Sequence, residues 1–200
     1  MTGGVVQAEA LVAGIGDHRT APIDVTIAGD RIVALVGPSG VGKTTVLRTL
    51  SGLLPPVAGT VRAEPRAPTL CFQQAGLLRW RTAEENATFG LGRRARPADR
   101  TRARSVLARL GLDGLAERSP GALSGGQQRR VAIARAILAA RSVLLVDEPF
   151  AHLDDDAADL VIATLRALAA DGIPVGVAVH SHTDAARIAD IAVEIALACH

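Results

Sequence analysis

The chain has 200 residues and a formal net charge of +2, and 48% of its residues are hydrophobic but only 2% aromatic. This length and composition suit one domain with a sizeable aliphatic core. The small net charge gives no reason to expect a nucleic-acid partner.

The sequence has no basic, apolar leader at its start and no run of 18 apolar residues. We therefore expect neither a signal peptide nor a membrane span. Its two cysteines, Cys71 and Cys199, lie far apart and lack metal-type spacing. A cytosolic protein with reduced thiols is the expectation that follows.

Two short apolar segments, Val5–Val12 and Ile23–Ile27, are predicted to be strands, with a turn of glycine, aspartate and proline between them. These strands directly precede the glycine-rich motif described next, so they predict a small β layer beside that motif.

That motif begins with a predicted strand at Ile32–Val36 and ends with a helical apolar stripe over Val46–Leu54. Between them lies a match to G-x-x-x-x-G-K-[ST], the phosphate-binding loop. The strand–loop–helix order is the context in which this motif binds phosphate. The predicted nucleotide-binding residues are Gly37, Pro38, Ser39, Gly40, Val41, Gly42, Lys43, Thr44 and Thr45.

The chemistry of this loop follows from its residue types. Glycines let successive backbone N–H groups point at an anion, and the following helix adds the positive end of its dipole. Lys43 is the only lysine among 22 basic residues. It can reach the β- and γ-phosphates, and the Thr44 hydroxyl can bind Mg²⁺.

Weak strands are predicted at Thr60–Ala63 and Thr69–Phe72, before an arginine-rich segment at Arg79–Arg109. Part of that segment has the apolar spacing of an amphipathic helix, and Gly111 suits the position just beyond its end. The arginines fit a solvated face, the interpretation we favour, or contact with anionic lipid headgroups.

Leu123-Ser124-Gly125-Gly126-Gln127 precedes a helical stripe that runs to Ala140. Ser124 is a good N-cap. Two glycines at a helix start cost stability, which indicates either a close approach to a ligand or plain capping. The segment alone does not separate these two interpretations.

Val143–Val146 reads as a buried parallel strand that runs into Asp147 and Glu148. Ligands of open α/β sheets bind at the carboxyl ends of strands, so both acids are expected beside the phosphate loop. There Asp147 can bind Mg²⁺ and Glu148 can take a proton from an attacking water.

A helix is predicted after Leu153-Asp154, followed by a buried strand at Val175–Val179 that ends at His180. A histidine at that position can reach a γ-phosphate, although a structural role is the commoner one. A last strand is predicted at Ile191–Leu197.

Together, the phosphate loop, the Leu123–Gln127 segment and Val143–Glu148 resemble the ATP-binding cassette (ABC) ATPases in order and spacing, over about Ile23 to Leu197. The resemblance implies an α/β P-loop NTPase (RecA-like) fold. Its mainly parallel sheet would be flanked by helices, with a small antiparallel β lobe and a helical subdomain at roughly 77–130. We expect residues 1–200 to form one ABC ATPase domain without a C-terminal regulatory domain.

The resemblance also implies roles for single residues. Gln73 matches the Q-loop glutamine, which contacts Mg²⁺ and the attacking water, and Asp154 matches the D-loop. His180 matches the switch histidine, because Asp190 follows at the usual distance. The signature residues would close over the γ-phosphate bound by the other subunit: Ser124, Gly125, Gly126 and Gln127. Catalytic roles are expected for Glu148, His180 and Gln73, and metal binding for Thr44, Gln73 and Asp147.

The segment around Phe72-Gln73 and Trp80 further resembles ATPase subunits of nitrate, sulfonate and taurine importers. The partners so implied are a second ATPase subunit, identical or related, an integral membrane permease and, for an importer, a solute-binding protein. The location would be the inner face of the cell membrane. ATP is the implied substrate and Mg²⁺ the implied cofactor.

Three departures from the family pattern stand out. No aromatic residue precedes Phe72, where the family stacks adenine, so His18 and Arg19 are the candidates for that place. Ser181 follows His180 where aspartate is usual. Ala151-His152-Leu153-Asp154 replaces the commoner Ser-x-Leu-Asp.

Other function classes are a soluble ABC protein of repair or translation, a degenerate cassette that binds without hydrolysis, a G protein and a small-molecule kinase. The first usually carries insertions that 200 residues cannot hold. The common G-protein motif needs a second lysine, which the chain lacks. A kinase would have no use for Leu123–Gln127. The missing aromatic motivates the degenerate cassette.

Overall fold

The computed structural model describes residues 4–64, 68–92 and 94–198, so Cys199 lies outside the described part. The strands are β1 (Val5–Val12), β2 (Gly14–Ile15), β3 (His18–Arg19), β4 (Ile23–Ala28), β5 (Ile32–Val36), β6 (Ala58–Glu64), β7 (Thr69–Cys71), β8 (Leu144–Asp147), β9 (Val175–Val179) and β10 (Ile191–Glu194). The α-helices are α1 (Lys43–Leu50), α2 (Ala83–Phe89), α3 (Pro97–Arg109), α4 (Gly125–Ala139), α5 (Asp155–Ala170) and α6 (His182–Ile188).

The described residues form two compact units. Those within 1–70, 140–148 and 166–200 form the first, which we call the sheet unit. Those within 71–139 and 149–165 form the second, the helical unit. Helix α5 begins in the helical unit and ends in the sheet unit.

A five-stranded sheet with the order β10-β5-β9-β8-β7 dominates the sheet unit. Strands β5, β8, β9 and β10 pair in parallel, with Ile32 opposite Val175 and Leu144 opposite that same Val175. All residues of β5, β8 and β9 are buried, as expected for central parallel strands covered on both faces. Strand β10 lies at the edge, and most of it is exposed.

A three-stranded antiparallel sheet with the order β4-β1-β6 completes the sheet unit. Strand β4 alternates buried and exposed residues, so one face meets the core and the other meets water. A bulge in β1 places Ala10 at a φ of 45°, and its backbone N–H donates to Asp24 Oδ1 at 2.7 Å. The core joins apolar side chains of both sheets and α1, including Ile27, Leu35 and Leu47.

The helical unit is held together by buried polar groups as well as aliphatic packing. Asn86 of α2 is fully buried, and its side chain bonds the backbone N–H and C=O of Leu78 at 2.8 and 3.1 Å. The buried Glu84 forms ion pairs with Arg100 and Arg104 of α3. Both arginine side chains are more than half exposed, at 54% and 58%, so they fit the solvated face that the sequence favours and also link α3 to α2.

The predicted fold class is confirmed: the chain has a mainly parallel sheet flanked by helices and a small antiparallel sheet. Gly111 follows α3 with a φ of 69°, as its predicted position beyond the helix end requires. The last strand is shorter than predicted, because β10 ends at Glu194 and Leu197 instead bridges Thr20. No helix in the described ranges is long and apolar enough to cross a membrane.

We predict that Leu35→Ala lowers the free energy of unfolding by about 2–5 kcal/mol, because it opens a cavity in a central strand that is fully buried. Leu53→Ala is the matched control, since Leu53 is 57% exposed and should change stability by less than about 0.5 kcal/mol. Urea unfolding measures both variants. Equal midpoints for the two variants would show that Leu35 does not belong to the core.

Candidate functional site

The phosphate loop connects the buried end of β5 to the first residue of α1. Gly42 is the N-cap of that helix and has a φ of 107°, a conformation that side chains rarely adopt. A Cβ at this position would also lie 2.8 Å from Thr20 Cγ2. Both the backbone conformation and the contact with Thr20 therefore require glycine at position 42.

Lys43 is only 5% exposed, and its ammonium lies within the loop. Its Nζ donates to the carbonyl oxygens of Gly37 and Pro38, at 2.6 and 2.9 Å. Burial lowers the pKa of Lys43 from 10.5, while the carboxylates of Glu148 and Asp147 act in the opposite direction. The loop thus places one cation beside its backbone N–H groups, where an anion would bind.

Asp147 is the last residue of β8 and is 2% exposed. The Thr44 hydroxyl donates to its Oδ2 at 2.8 Å. A hydroxyl oxygen and a carboxylate oxygen side by side form the hard donor set that Mg²⁺ prefers. Mg²⁺ sites on phosphate ligands use one or two protein groups, so this pair fits the ion.

Glu148 follows Asp147 at the carboxyl edge of the sheet. Its φ of 51° is rare for a residue with a side chain, and its backbone N–H donates to Ala178 of β9 at 3.0 Å. Strained backbone of this kind is characteristic of functional sites and persists where the surroundings fix it. Here the neighbouring strand supplies that constraint.

His180 lies directly after β9, and its Nε2 is 2.8 Å from Glu148 Oε1. Its Nδ1 is 3.3 Å from the Oγ of Ser39 in the phosphate loop. An Nε2 proton donated to Glu148 leaves Nδ1 to accept from Ser39, so one tautomer satisfies both contacts. The sheet unit therefore joins Ser39, His180 and Glu148 in one chain of contacts, which the sequence did not reveal.

The signature residues lie at the start of α4 in the helical unit. The Ser124 backbone N–H donates to Gln127 Oε1 at 2.9 Å, and the Gln127 N–H donates to Ser124 Oγ at 3.2 Å. This reciprocal pair is a capping box.

The two glycines of the signature differ in surroundings. A Cβ at Gly126 would lie 2.7 Å from the backbone oxygen of His152, so this glycine is needed for packing within the helical unit. A Cβ at Gly125 would meet nothing within 4 Å. Only Gly125 fits the predicted close approach of a ligand to the backbone.

Gln73 lies in an exposed stretch after β7, in the helical unit. Its carbonyl accepts from Arg129 Nη1 at 3.2 Å, and Arg129 also donates to the carbonyl of Phe72. Arg135 donates to the carbonyls of Ala75 and Gly76, at 2.7 and 2.9 Å. Two arginines of α4 thus fix the backbone of the Gln73 loop.

Sequence reasoning missed the role of Arg129 and Arg135. Arg129 is only 2% exposed. The residues beside Arg129 are polar and gave no signal, whereas Arg135 interrupts an apolar run and was the available signal.

Asp154 is the residue before α5, and its Oδ1 accepts from the N–H of Ala157 at 2.8 Å. This is an N-cap contact, which by itself accounts for an aspartate there. His152, two residues earlier, has a φ of 63°. The D-loop role of Asp154 thus stays a prediction.

The structure brings the phosphate loop, Asp147, Glu148 and His180 together within the sheet unit. Gln73, the signature residues and Asp154 belong to the helical unit. The catalytic and trans-acting roles assigned to these residues stay predictions. The sheet unit by itself is the phosphate-binding half of a P-loop NTPase.

Comparison with known proteins agrees with this class. The sequence pattern described as ABC transporter matches residues 20–151. The thiamine import ATP-binding protein ThiQ of Cereibacter sphaeroides is 40% identical over 187 residues, which cover 87% of this chain and 80% of that protein. The aliphatic sulfonates import ATP-binding protein SsuB 2 of Frankia alni is 43% identical over 152 residues, 76% of this chain and 60% of the relative.

Among solved structures, a dimeric post-hydrolysis state of the ATP-binding cassette MJ0796 bound to ADP and Pi superimposes with a TM-score of 0.83 at 27% identity. The match covers 96% of this chain and 94% of the other. The chain belongs to the ABC transporter family. It is an ABC-type ATPase, as its sequence predicts.

Exchanging each signature glycine for alanine tests the difference between them. We predict that Gly126→Ala lowers the free energy of unfolding by about 1–3 kcal/mol, because the new methyl group collides with the His152 backbone. Gly125→Ala should be neutral or slightly stabilising, since the position is open and helical. Urea midpoints compare the two variants, and an equal loss in both would contradict the packing described.

Lys43→Met tests the balance of charges in the phosphate loop. Because burial is the largest influence on the Lys43 pKa, we expect the nucleotide-free variant to be at least as stable as the parent at neutral pH. The folded-state pKa lies below 10.5, so the folded parent binds fewer protons than the unfolded chain between these values. The parent therefore gains stability as pH rises through that window, and the difference should shrink near pH 10.

Urea midpoints of parent and Lys43→Met at about pH 7 and about pH 10 measure this effect. A variant that is clearly less stable than the parent at neutral pH would show that the two carboxylates outweigh burial.

Proposed function

We propose that this chain is the ATP-hydrolysing subunit that powers solute import through a separate membrane permease. The observation that carries the hydrolytic part is the convergence of the phosphate loop with Asp147, Glu148 and His180 at one sheet edge. The import part rests on the relatives, which include proteins named for import of thiamine, sulfonates, sulfate or thiosulfate, and molybdenum. Their diversity leaves the solute of this chain unassigned.

The first step of the proposed reaction is the binding of ATP by the phosphate loop. The N–H groups at the start of α1 and the Lys43 ammonium would hold the β- and γ-phosphates of ATP. On ATP binding, Lys43 would exchange its contacts with the Gly37 and Pro38 carbonyls for phosphate oxygens. Mg²⁺, when bound by Thr44, Asp147 and Gln73, would neutralise charge that develops on the phosphates.

Glu148 would accept a proton from the attacking water as the new P–O bond forms and the bond to the β-phosphate oxygen breaks. His180 and Ser39 orient its carboxylate through the contacts at 2.8 and 3.3 Å. Gln73 would position the water. In this scheme Glu148 and Gln73 act on the water. His180 would reach the γ-phosphate once the two ATPase subunits have closed around the nucleotide.

Two ATPase subunits, identical or related, would complete each other's sites. Ser124, Gly125, Gly126 and Gln127 of one subunit would cap the γ-phosphate held by the other, and Asp154 would lie near the contact between them. The open surroundings of Gly125 and the exposed Ser124 support this role. A helix N-terminus with accessible N–H groups favours an anion.

We further propose that residues 1–200 work as one ABC ATPase domain whose helical subdomain, roughly 77–130, carries the surface for the permease. The protein would lie on the cytoplasmic side of the membrane, held there by that permease. A solute-binding protein would deliver the solute on the opposite side.

Glu148→Gln is the decisive variant for hydrolysis. It keeps the size of the side chain and removes its basicity, so ATP affinity should be retained while turnover falls by about 10²–10⁴-fold. Phosphate release and calorimetric ATP titration measure the two quantities separately. Turnover close to that of the parent would remove Glu148 from its proposed role.

A further inference from the structure

Arg129 of α4 is the one arginine that is buried among the residues the structure describes, with 2% of its surface exposed. A charged guanidinium loses its water on burial, and this costs free energy unless other groups replace the lost hydrogen bonds. The groups that Arg129 contacts therefore indicate why a charge is held at this place.

The partners of Arg129 are three consecutive residues at the end of β7 and just beyond it. Its Nη1 donates to the carbonyls of Phe72 and Gln73, the latter at 3.2 Å, and lies 3.7 Å from the Sγ of Cys71. All these residues belong to the helical unit. The two carbonyls belong to the peptide groups on either side of the Gln73 Cα, so Arg129 fixes the backbone that carries the Gln73 side chain.

Stability of this loop does not by itself require a buried charge. Phe72, Gln73 and Gln74 are exposed, so this stretch lies where water can hydrogen-bond a backbone. Buried charged groups can often be replaced by apolar side chains of similar volume without loss of stability. Neither water nor an apolar side chain supplies a fixed direction, whereas a guanidinium holds its donors in a rigid, planar fork. The contacts thus favour positioning of Gln73 over simple packing.

The loop is anchored a second time by Arg135, further along the same helix. This side chain donates to the carbonyls of Ala75 and Gly76, at 2.7 and 2.9 Å. Both anchors come from the helix whose first residues belong to the signature. The backbone of Gln73 therefore keeps its place relative to the start of α4.

We propose that Arg129 is a positioning residue for ATP hydrolysis, which holds Gln73 where its amide can orient the attacking water. Arg129 acts through the carbonyls of Phe72 and Gln73 and touches neither the water nor the nucleotide. This inference rests on the proposed function, because Gln73 has its role there. It adds a buried arginine, remote from the phosphates, on which the rate of hydrolysis depends.

The first test is Arg129→Gln in the intact chain, assayed by steady-state phosphate release with Mg²⁺-ATP. The variant loses the cation and its fork, so kcat should fall by about 10- to 100-fold, as expected when a reacting group is displaced by about 1 Å. KM should stay within about threefold, because the phosphate loop is untouched. Circular dichroism shows whether the variant is folded under assay conditions, and a parental kcat in the folded variant would overturn the inference.

Arg129→Lys keeps the inference testable if Arg129→Gln does not fold. Lysine retains the buried charge but donates as a point charge instead of a rigid fork. The kcat of this variant should fall by about three- to tenfold, less than that of Arg129→Gln. A folded Arg129→Lys variant with the parental kcat would contradict positioning by a directed contact.

A double variant with Gln73→Ala separates positioning from a general loss of activity. Gln73→Ala alone should lower kcat at least as much as Arg129→Gln does. Because Arg129 acts through Gln73, adding Arg129→Gln to Gln73→Ala should change kcat by less than about twofold. Equal losses in the parent and in the Gln73→Ala background would overturn the inference, since Arg129 would then act by another route.

Arg100→Gln is the matched control for removal of an arginine from the helical unit. Arg100 lies on α3, is 54% exposed and pairs with Glu84, so its loss should leave kcat within about twofold of the parent.

The same measurements separate failure of the inference from failure of the proposed function. A parent that does not hydrolyse ATP would refute the proposed function. If the parent hydrolysed ATP and Gln73→Ala left kcat unchanged, the role of Gln73 would fail and that of Arg129 with it. If Gln73→Ala lowered kcat but Arg129→Gln did not, only the positioning by Arg129 would fail.

Discussion

The structure depends on one geometric constraint, the adjacency of three parallel strands, β5, β9 and β8, whose carboxyl ends meet at one edge. The phosphate loop follows β5, His180 follows β9, and Asp147 ends β8 with Glu148 directly after it. The edge places the buried cation of Lys43 near two carboxylates, although burial disfavours its charged form. Backbone contacts, such as the bond from Glu148 to Ala178, keep these polar groups in place.

Much of this edge could be predicted from the sequence, because buried parallel strands read as continuous apolar runs and the phosphate loop has fixed spacing. The contacts that tune the site could not be predicted. Ser39 meets His180 across 141 positions of sequence, and only the sheet order brings them together. The end of β10 depends on distant residues in the same way. The sequence predicts a strand up to Leu197, but Leu197 pairs with Thr20 in the β3–β4 connection instead of continuing the parallel sheet.

In the helical unit, too, the contacts of individual residues could not be predicted from the sequence. Gly125 and Gly126 look alike in sequence, yet one is open and the other touches the His152 backbone. Arginines on a helix are ordinarily expected to be solvated, but Arg129 and Arg135 of α4 bind four carbonyls of the Gln73 loop. The signature helix and that loop therefore form one structural piece, which links the segment proposed to cap a phosphate with the glutamine proposed to position the attacking water.

A mixing experiment tests most directly the claim that the nucleotide site is divided between two subunits. Lys43→Met disables the phosphate loop, and Gly125→Glu places a negative charge at the open signature position. Each variant alone should be inactive, but a mixed dimer regains one intact site, so an equimolar mixture should recover about a quarter of the parental ATPase rate. A mixture that forms dimers and stays inactive would contradict a divided site, because it would show that signature and phosphate loop act within one subunit.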